Sequence, residues 1–225
     1  MSYIPEEGKV ILINKELRWT SFDVVKKIRN LLRITKVGHA GTLDPLATGL
    51  LIICAGKMTK QINQFMDQEK EYTGTMVLGK TTPSVDLETE FDSEQSIEHI
   101  SEKEIPKLTK KFTGQLMQIP PIFSAIKKEG TPLYLKARKG EEVKIEPRSV
   151  ETMEFEITSI RLPEVEFRLV CSKGFYVRSL VRDFGEALGV GAYLSKLERT
   201  RIGEFKIEDA QTINEFVQSL QEVDS

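Results

Sequence analysis

Seventeen residues, Val37 to Ile53, restrict what this chain can fold into more than any others. They read V-G-H-A-G-T-L-D-P-L-A-T-G-L-L-I-I, with one acidic group, Asp44, flanked by glycines and followed by a proline. Gly38 and Gly41 allow positive φ, and Pro45 biases the residue before it towards extended or turn backbone, so Asp44 is expected on a bent loop and not inside a helix. Gly49 then leads into L-L-I-I-C-A, a short apolar run that reads as a buried strand. An isolated Asp-Pro is most often a turn and nothing more. Here His39, Thr42 and Thr48 surround the carboxylate with polar groups, and a functional reading gains weight.

The chain has 225 residues, enough for a single catalytic domain over 1–225, built as one body or as two lobes. Hydrophobic content of 40% and charged content of 29% are ordinary for a soluble globular protein. No apolar run approaches a membrane span, and the opening M-S-Y-I-P-E-E-G lacks a signal segment, so a cytoplasmic protein without membrane association is expected. Cys54 and Cys171 each lie in an apolar, strand-like run, which points to core packing. Two cysteines and two histidines share no ligand spacing, so no metal site is expected.

A net charge of −2 argues at first against a nucleic-acid partner, because such partners call for positive surface. The distribution changes that. Residues 86–104 hold eight acids and one lysine, a local charge of −7 that leaves +5 for the remainder. Five basic groups, Lys127, Lys128, Lys136, Arg138 and Lys139, fall within thirteen residues that contain one acid, Glu129. This segment, 126–148, is either a phosphate-contacting arm or a solvated lysine-rich loop.

Along the chain, Lys9 to Asn14 reads as a strand. Thr20 or Ser21 caps a helix from Phe22 to Leu32, with Phe22, Val25, Ile28, Leu31 and Leu32 on one face. Gly56 to Asp67 reads as a short amphipathic helix, and Glu71 to Leu78 as a strand with Tyr72 near its start. Residues 81–100, largely the acidic connector, are polar and aperiodic and are expected to contribute least to any site. Ser101 and Glu104 suggest a capping box for a helix ending near Phe112. Val150 to Ile160, Val165 to Cys171 and Gly203 to Ile207 read as strands. Between the last two lies a strand-turn-helix unit, with Val177, Leu180, Val181 and Phe184 as an apolar stripe and Arg178 and Arg182 one turn apart on another face. Thr212 and Glu215 cap a final helix. Strands mixed with helices, without a regular βαβ repeat, give an α+β fold with a mixed, largely antiparallel sheet flanked by helices and carrying an inserted basic arm. No phosphate loop ending in lysine-serine is present, so ATP or GTP binding is not expected.

G-H-A-G-T-L-D-P-L-A-T-G-L-L closely resembles the signature of the tRNA pseudouridine synthase B family, and further motifs follow in family order from Lys9 to about Phe216. K-E-L-R-W-T-S resembles the first motif, usually K-P-x-G-x-x-S; Lys15 matches, while Glu16 stands for the proline and Arg18 for the glycine. K-E-Y, P-P-I-F-S-A-I-K, G-F-Y-V-R and S-K-L-E-R-T resemble the later ones. The resemblance implies the pseudouridine synthase fold, in a short form without the C-terminal RNA-binding domain of many members. It implies that the chain converts uridine 55 in the T-arm loop of tRNA to pseudouridine, with no cofactor and no obligatory protein partner. Asp44 is then the nucleophile, with Tyr176 and Arg178 beside it in catalysis and Tyr72 stacking on the target base. Leu197 touches the flipped base, and Lys15, Lys127 and Arg138 contact RNA. His39 either fills the space the uridine vacates or braces the loop.

Isomerisation breaks the N-glycosidic bond, turns the uracil and forms a carbon–carbon bond to the same ribose carbon. The base has to leave its stack first. Arg178 is expected to keep Asp44 ionised against the desolvation of a pocket. Attack at ribose C1′, attack at uracil C6 and abstraction of a ribose proton all fit Asp44, and Tyr176 fits either a base at C5 or a wall. Two other readings are a tRNA-binding or folding chaperone and a guide-RNA-dependent synthase.

Overall fold

The structure is a computed structural model that describes residues 7–124, 127–128, 131–132 and 144–224. The chain forms two compact units, residues 1–73 with 197–225, and residues 74–196. It contains strands β1 (Lys9–Lys15), β2 (Val37–His39), β3 (Ala47–Ala55), β4 (Lys70–Leu78), β5 (Lys80–Thr81), β6 (Ser93–Glu94), β7 (Gly114–Gln118), β8 (Lys127–Lys128), β9 (Thr131–Pro132), β10 (Arg148–Arg161), β11 (Glu164–Cys171), β12 (Ala192–Ile202) and β13 (Phe205–Lys206). The α-helices are α1 (Ser21–Leu32), α2 (Ile62–Met66), α3 (Ile105–Leu108), α4 (Val177–Ala187) and α5 (Ile213–Asp224). The chain passes between units within β4 and within β12.

In the first unit the strand order is β1-β3-β12-β4, with β2 also on β3 and β13 on β12. β1 pairs with β3 antiparallel and β3 with β12 parallel. From Leu50 to Ala55 strand β3 is apolar at every position because both of its faces are covered. Leu51, Ile53 and Ala55 join Val24, Val25, Ile28 and Leu32 of α1 and Ile213 and Phe216 of α5 in one core, while Leu50, Ile52 and Cys54 join Phe65 and Ile202 in another. Each large apolar side chain that α1 buries contributes about 1.5–3 kcal/mol. Thr20 caps α1 in a reciprocal capping box with Asp23, and Thr212 does the same for α5 with Glu215. Burial drives the Cys54 thiol up to about 11, as befits a core cysteine.

In the second unit the order is β12-β4-β11-β10-β7, with antiparallel pairing of β10 to both β11 and β7. Helix α4 is seated by Phe184, whose ring meets Phe155 edge-on at 5.7 Å, and Phe155 in turn meets Phe167 at 5.9 Å. The result is the α+β, mixed and largely antiparallel sheet that the sequence suggests.

Several local expectations need correction. Phe22 does not join the core face of α1: it is 62% exposed, and Val24 takes the buried position. Gly56–Gln61 is a 3-10 turn, and only Ile62–Met66 is α-helical. Ser101 makes no side-chain cap for α3; Glu104 is the cap residue and donates its backbone N–H to the Ser101 carbonyl. The last expected strand contracts to Phe205–Lys206, while β7 and the long β12 are strands the periodicity does not reveal.

Candidate active site

In the first unit, the loop carrying Asp44 is tied down from four directions. The Ser21 hydroxyl accepts from Leu43 N–H at 2.9 Å and donates to Leu43 O at 3.2 Å. Arg18 N–H donates to Pro45 O at 2.8 Å, and Ala47 N–H closes a turn on Asp44 O at 3.0 Å. On the far side Arg199, 1% exposed, donates from Nε to Leu50 O at 2.8 Å and from Nη2 to Gly41 O at 3.1 Å. Gly49 permits this close packing: it sits at φ +101°, and a Cβ there would lie 2.3 Å from Arg199 O. Asp44 is half-buried on the loop so held.

Lys15 ends β1 with no exposed surface, its ammonium donating to Trp19 O at 2.6 Å and Glu16 O at 3.1 Å. Burial pushes it down to about 8, an effect opposed by the negative charge of Asp44, reinforced by Arg199 and opposed again by Asp23. The attraction is mutual, so a protonated Lys15 favours the ionised form of Asp44. His39, half-buried at the end of β2, is held below the ordinary histidine range first by burial and then by the Arg199 guanidinium, with Gly41 backbone partly opposing. Its Nδ1 has no hydrogen-bond partner among the described residues. Tyr72 is buried on β4, and Leu197, half-buried on β12, stands in register with Ala47, three residues beyond Asp44.

In the second unit, Tyr176 is the N-cap residue of α4, and its backbone is clamped by the Gln118 amide: Tyr176 N–H donates to Gln118 Oε1 at 2.7 Å and Gln118 Nε2 to Tyr176 O at 3.0 Å. Arg178 is buried and donates to Ser84 O at 3.0 Å and Phe123 O at 2.8 Å. Its guanidinium lies 3.6 Å from the buried Asp86 carboxylate. Ser179 and Arg182 both donate to Ile119 O, so the proline-rich 118–124 stretch is bound along α4.

The 81–100 segment, which reads as a polar connector, is packed into its unit: Thr82, Ser84, Val85 and Asp86 are all buried. Thr82 and Ser84 hydroxyls donate to Asp86 O, and Leu194 N–H donates to Val85 O, a turn built from polar contacts that hydrophobic periodicity does not register. Of the basic segment, Lys127 belongs to the β8–β9 ladder, and Arg138 lies outside the described residues.

The TruB family pseudouridylate synthase N-terminal domain matches residues 29–177, and the tRNA pseudouridylate synthase B C-terminal domain matches residues 178–224. The chain belongs to the TruB family of tRNA pseudouridylate synthases. Among TruB relatives, the tRNA pseudouridine synthase B of Flavobacterium johnsoniae is 54% identical over 96% of this chain and 97% of its own length. That of Phocaeicola vulgatus is 48% identical over 94% and 92%. A solved Cbf5-Nop10-Gar1 complex contains a chain with a TM-score of 0.74 and 31% identity, matched over 95% of this TruB chain and 54% of its own. The TruB chain thus spans about half the length of that relative and shares its pseudouridine synthase fold.

Arg199 and Asp86 are the residues that sequence reasoning missed. Arg199 stands two positions after Leu197 in S-K-L-E-R-T, yet an arginine in a charged run reads as solvated. Only its carbonyl partners, on segments far back in the chain, make it a buried brace.

Proposed function

We propose that this TruB member isomerises uridine 55 in the T-arm loop of tRNA to pseudouridine, with Asp44 as nucleophile. The observation that carries the proposal is a half-buried carboxylate on a loop pinned by Ser21, Arg18 and Arg199, beside the buried Lys15 ammonium. A nucleophilic carboxylate has to be ionised and fixed, and these contacts serve both needs. Extruding the uridine costs a few kcal/mol. Stacking on Tyr72 offsets about 1–3 kcal/mol of that. Leu197 supplies an apolar contact to the flipped base, and His39 supports the loop RNA. Tyr176 and Arg178 keep the catalytic roles that the resemblance gives them. Lys127, Arg138 and the rest of 126–148 grip the RNA. Lys15, being buried, acts through the Asp44 loop rather than at phosphate. The reaction needs no cofactor, no protein partner and no membrane, and belongs in the cytoplasm.

Release of tritium from 5-tritiated uridine in a T-arm stem-loop tests this directly. The parent chain alone is expected to release it and Asp44→Asn to bind the same RNA without release. A parent that binds and releases nothing would leave a tRNA-binding or folding chaperone. The likeness to a chain from a multiprotein complex raises a guide-RNA-dependent reading, which activity on bare transcript without added proteins excludes.

A further inference from the structure

A cavity of about 390 Å³ beside α1 is lined by Arg18, Trp19, Asp23, Lys26, Lys27 and Asn30. Asp23, Lys26, Lys27 and Asn30 fall at helical spacing on the face of α1 opposite Val24, Val25 and Ile28. Three cations meet one carboxylate, and that carboxylate is already engaged by the backbone and hydroxyl of Thr20. Trp19 is half-buried, packed on one side against the α1 core, and contributes to the lining. Leu17 and Phe22, on either side of this stretch, are 53% and 62% exposed. Basic groups interleaved with exposed apolar and aromatic ones are what an unpaired nucleic-acid strand binds: cations take phosphates and aromatic faces take bases.

Arg18 is the second observation. It is exposed and holds φ +68°, left-handed backbone that glycine adopts without strain and that is uncommon for other residues. Arg18 is thus a solvent-facing arginine in a sparsely populated backbone region, and outliers of that kind cluster at functional positions. Its own N–H donates to Pro45 O, the residue after Asp44, so the cavity rim and the Asp44 loop are joined by one hydrogen bond.

We infer that the Arg18–Trp19–Lys26–Lys27 cavity is a second RNA subsite, which holds adjacent backbone phosphates and a stacked base of the substrate strand outside the target uridine. This rests on the proposed activity for the identity of the RNA. A strand that delivers its uridine to Asp44 passes this rim, and the subsite acts in affinity and register. It gives the chain an RNA contact independent of the 126–148 segment.

Arg18→Gly tests it cleanly, because glycine suits the backbone there and the variant folds at least as well as the parent. With T-arm stem-loop RNA in filter binding from 50 to 200 mM salt, Arg18→Gly is expected to weaken binding about three- to tenfold and to flatten the log–log salt slope by about one. Lys26→Ala with Lys27→Ala should flatten it by nearly two. In tritium release KM rises, with a smaller change in kcat. Parent-like Kd and salt slope in both variants would overturn the subsite, as would a parent that does not bind this RNA. A parent that binds without isomerising would overturn the proposed activity alone, and the slopes would still decide the subsite.

Discussion

Each unit of the chain holds an acid near a buried cation, and the two arrangements differ in kind. In the second unit, Asp86 and Arg178 are 5% and 4% exposed and face each other, with two carbonyls accepting from the guanidinium and Glu88 N–H donating to the carboxylate at 3.0 Å. Desolvation offsets much of the attraction within a pair so enclosed, yet breaking it costs far more, since removing one partner strands the other charge. In the first unit, Asp44 is half-buried, and its neighbours chiefly grip the loop backbone: Ser21, Arg18 and Arg199 all bond to main-chain atoms around it. The Asp44 carboxylate is also within electrostatic reach of the buried Lys15 ammonium. Asp86 serves the fold of its unit, and Asp44 is the acid that the proposed chemistry calls on.

The sharpest way to break the comparison is to neutralise each acid in turn. Asp44→Asn should lower tritium release by at least about 10³-fold, with thermal denaturation close to that of the parent. Asp86→Asn should do the reverse in kind, destabilising by about 3–5 kcal/mol in denaturant titration. If Asp86→Asn unfolds at the parent's midpoint, the Asp86–Arg178 pair does not hold the fold of its unit.

A backbone change probes what holds the Asp44 loop. Gly49→Ala would set a methyl 2.3 Å from Arg199 O at a φ that L residues rarely adopt, and should cost about 2–3 kcal/mol. A midpoint shift below about 0.5 kcal/mol would show that the β3–β12 contact yields easily.

The smallest effect is in pH. His39 is depressed by burial and by Arg199, so its folded value lies below its unfolded one, and the unfolded chain binds more protons in between. Its contribution is present above about pH 6.5 and is lost as pH falls through the lower folded value. Denaturation midpoints from pH 7.5 to 5 should therefore fall more steeply for the parent than for His39→Asn. Parallel profiles would show that His39 is not depressed in the folded chain.

How much of this was legible beforehand varies with the physics of each element. Strand β3, the stripe on α4 and the Thr212–Glu215 cap are local patterns, written in neighbouring residues, and they stand where periodicity and capping chemistry put them. Phe22 misleads because its spacing fits the core face of α1, yet the core is filled from Val24 onwards. Strand β12 is hidden because Lys196, Glu198, Arg199 and Arg201 make it look solvated, when its pairing to β3 and to β4 is what makes it a strand.

By itself the sequence determined the bent, glycine-flanked loop around Asp44 and the buried strand behind it, since φ freedom, proline bias and apolar run length are properties of adjacent residues. Tertiary structure alone decided which charges are buried and with whom: Arg199 under the Asp44 loop, Lys15 against two carbonyls, Asp86 against Arg178. The reason is that a charge's environment is set by groups distant in the chain, and desolvation, unlike helical spacing, leaves no trace in the order of the residues.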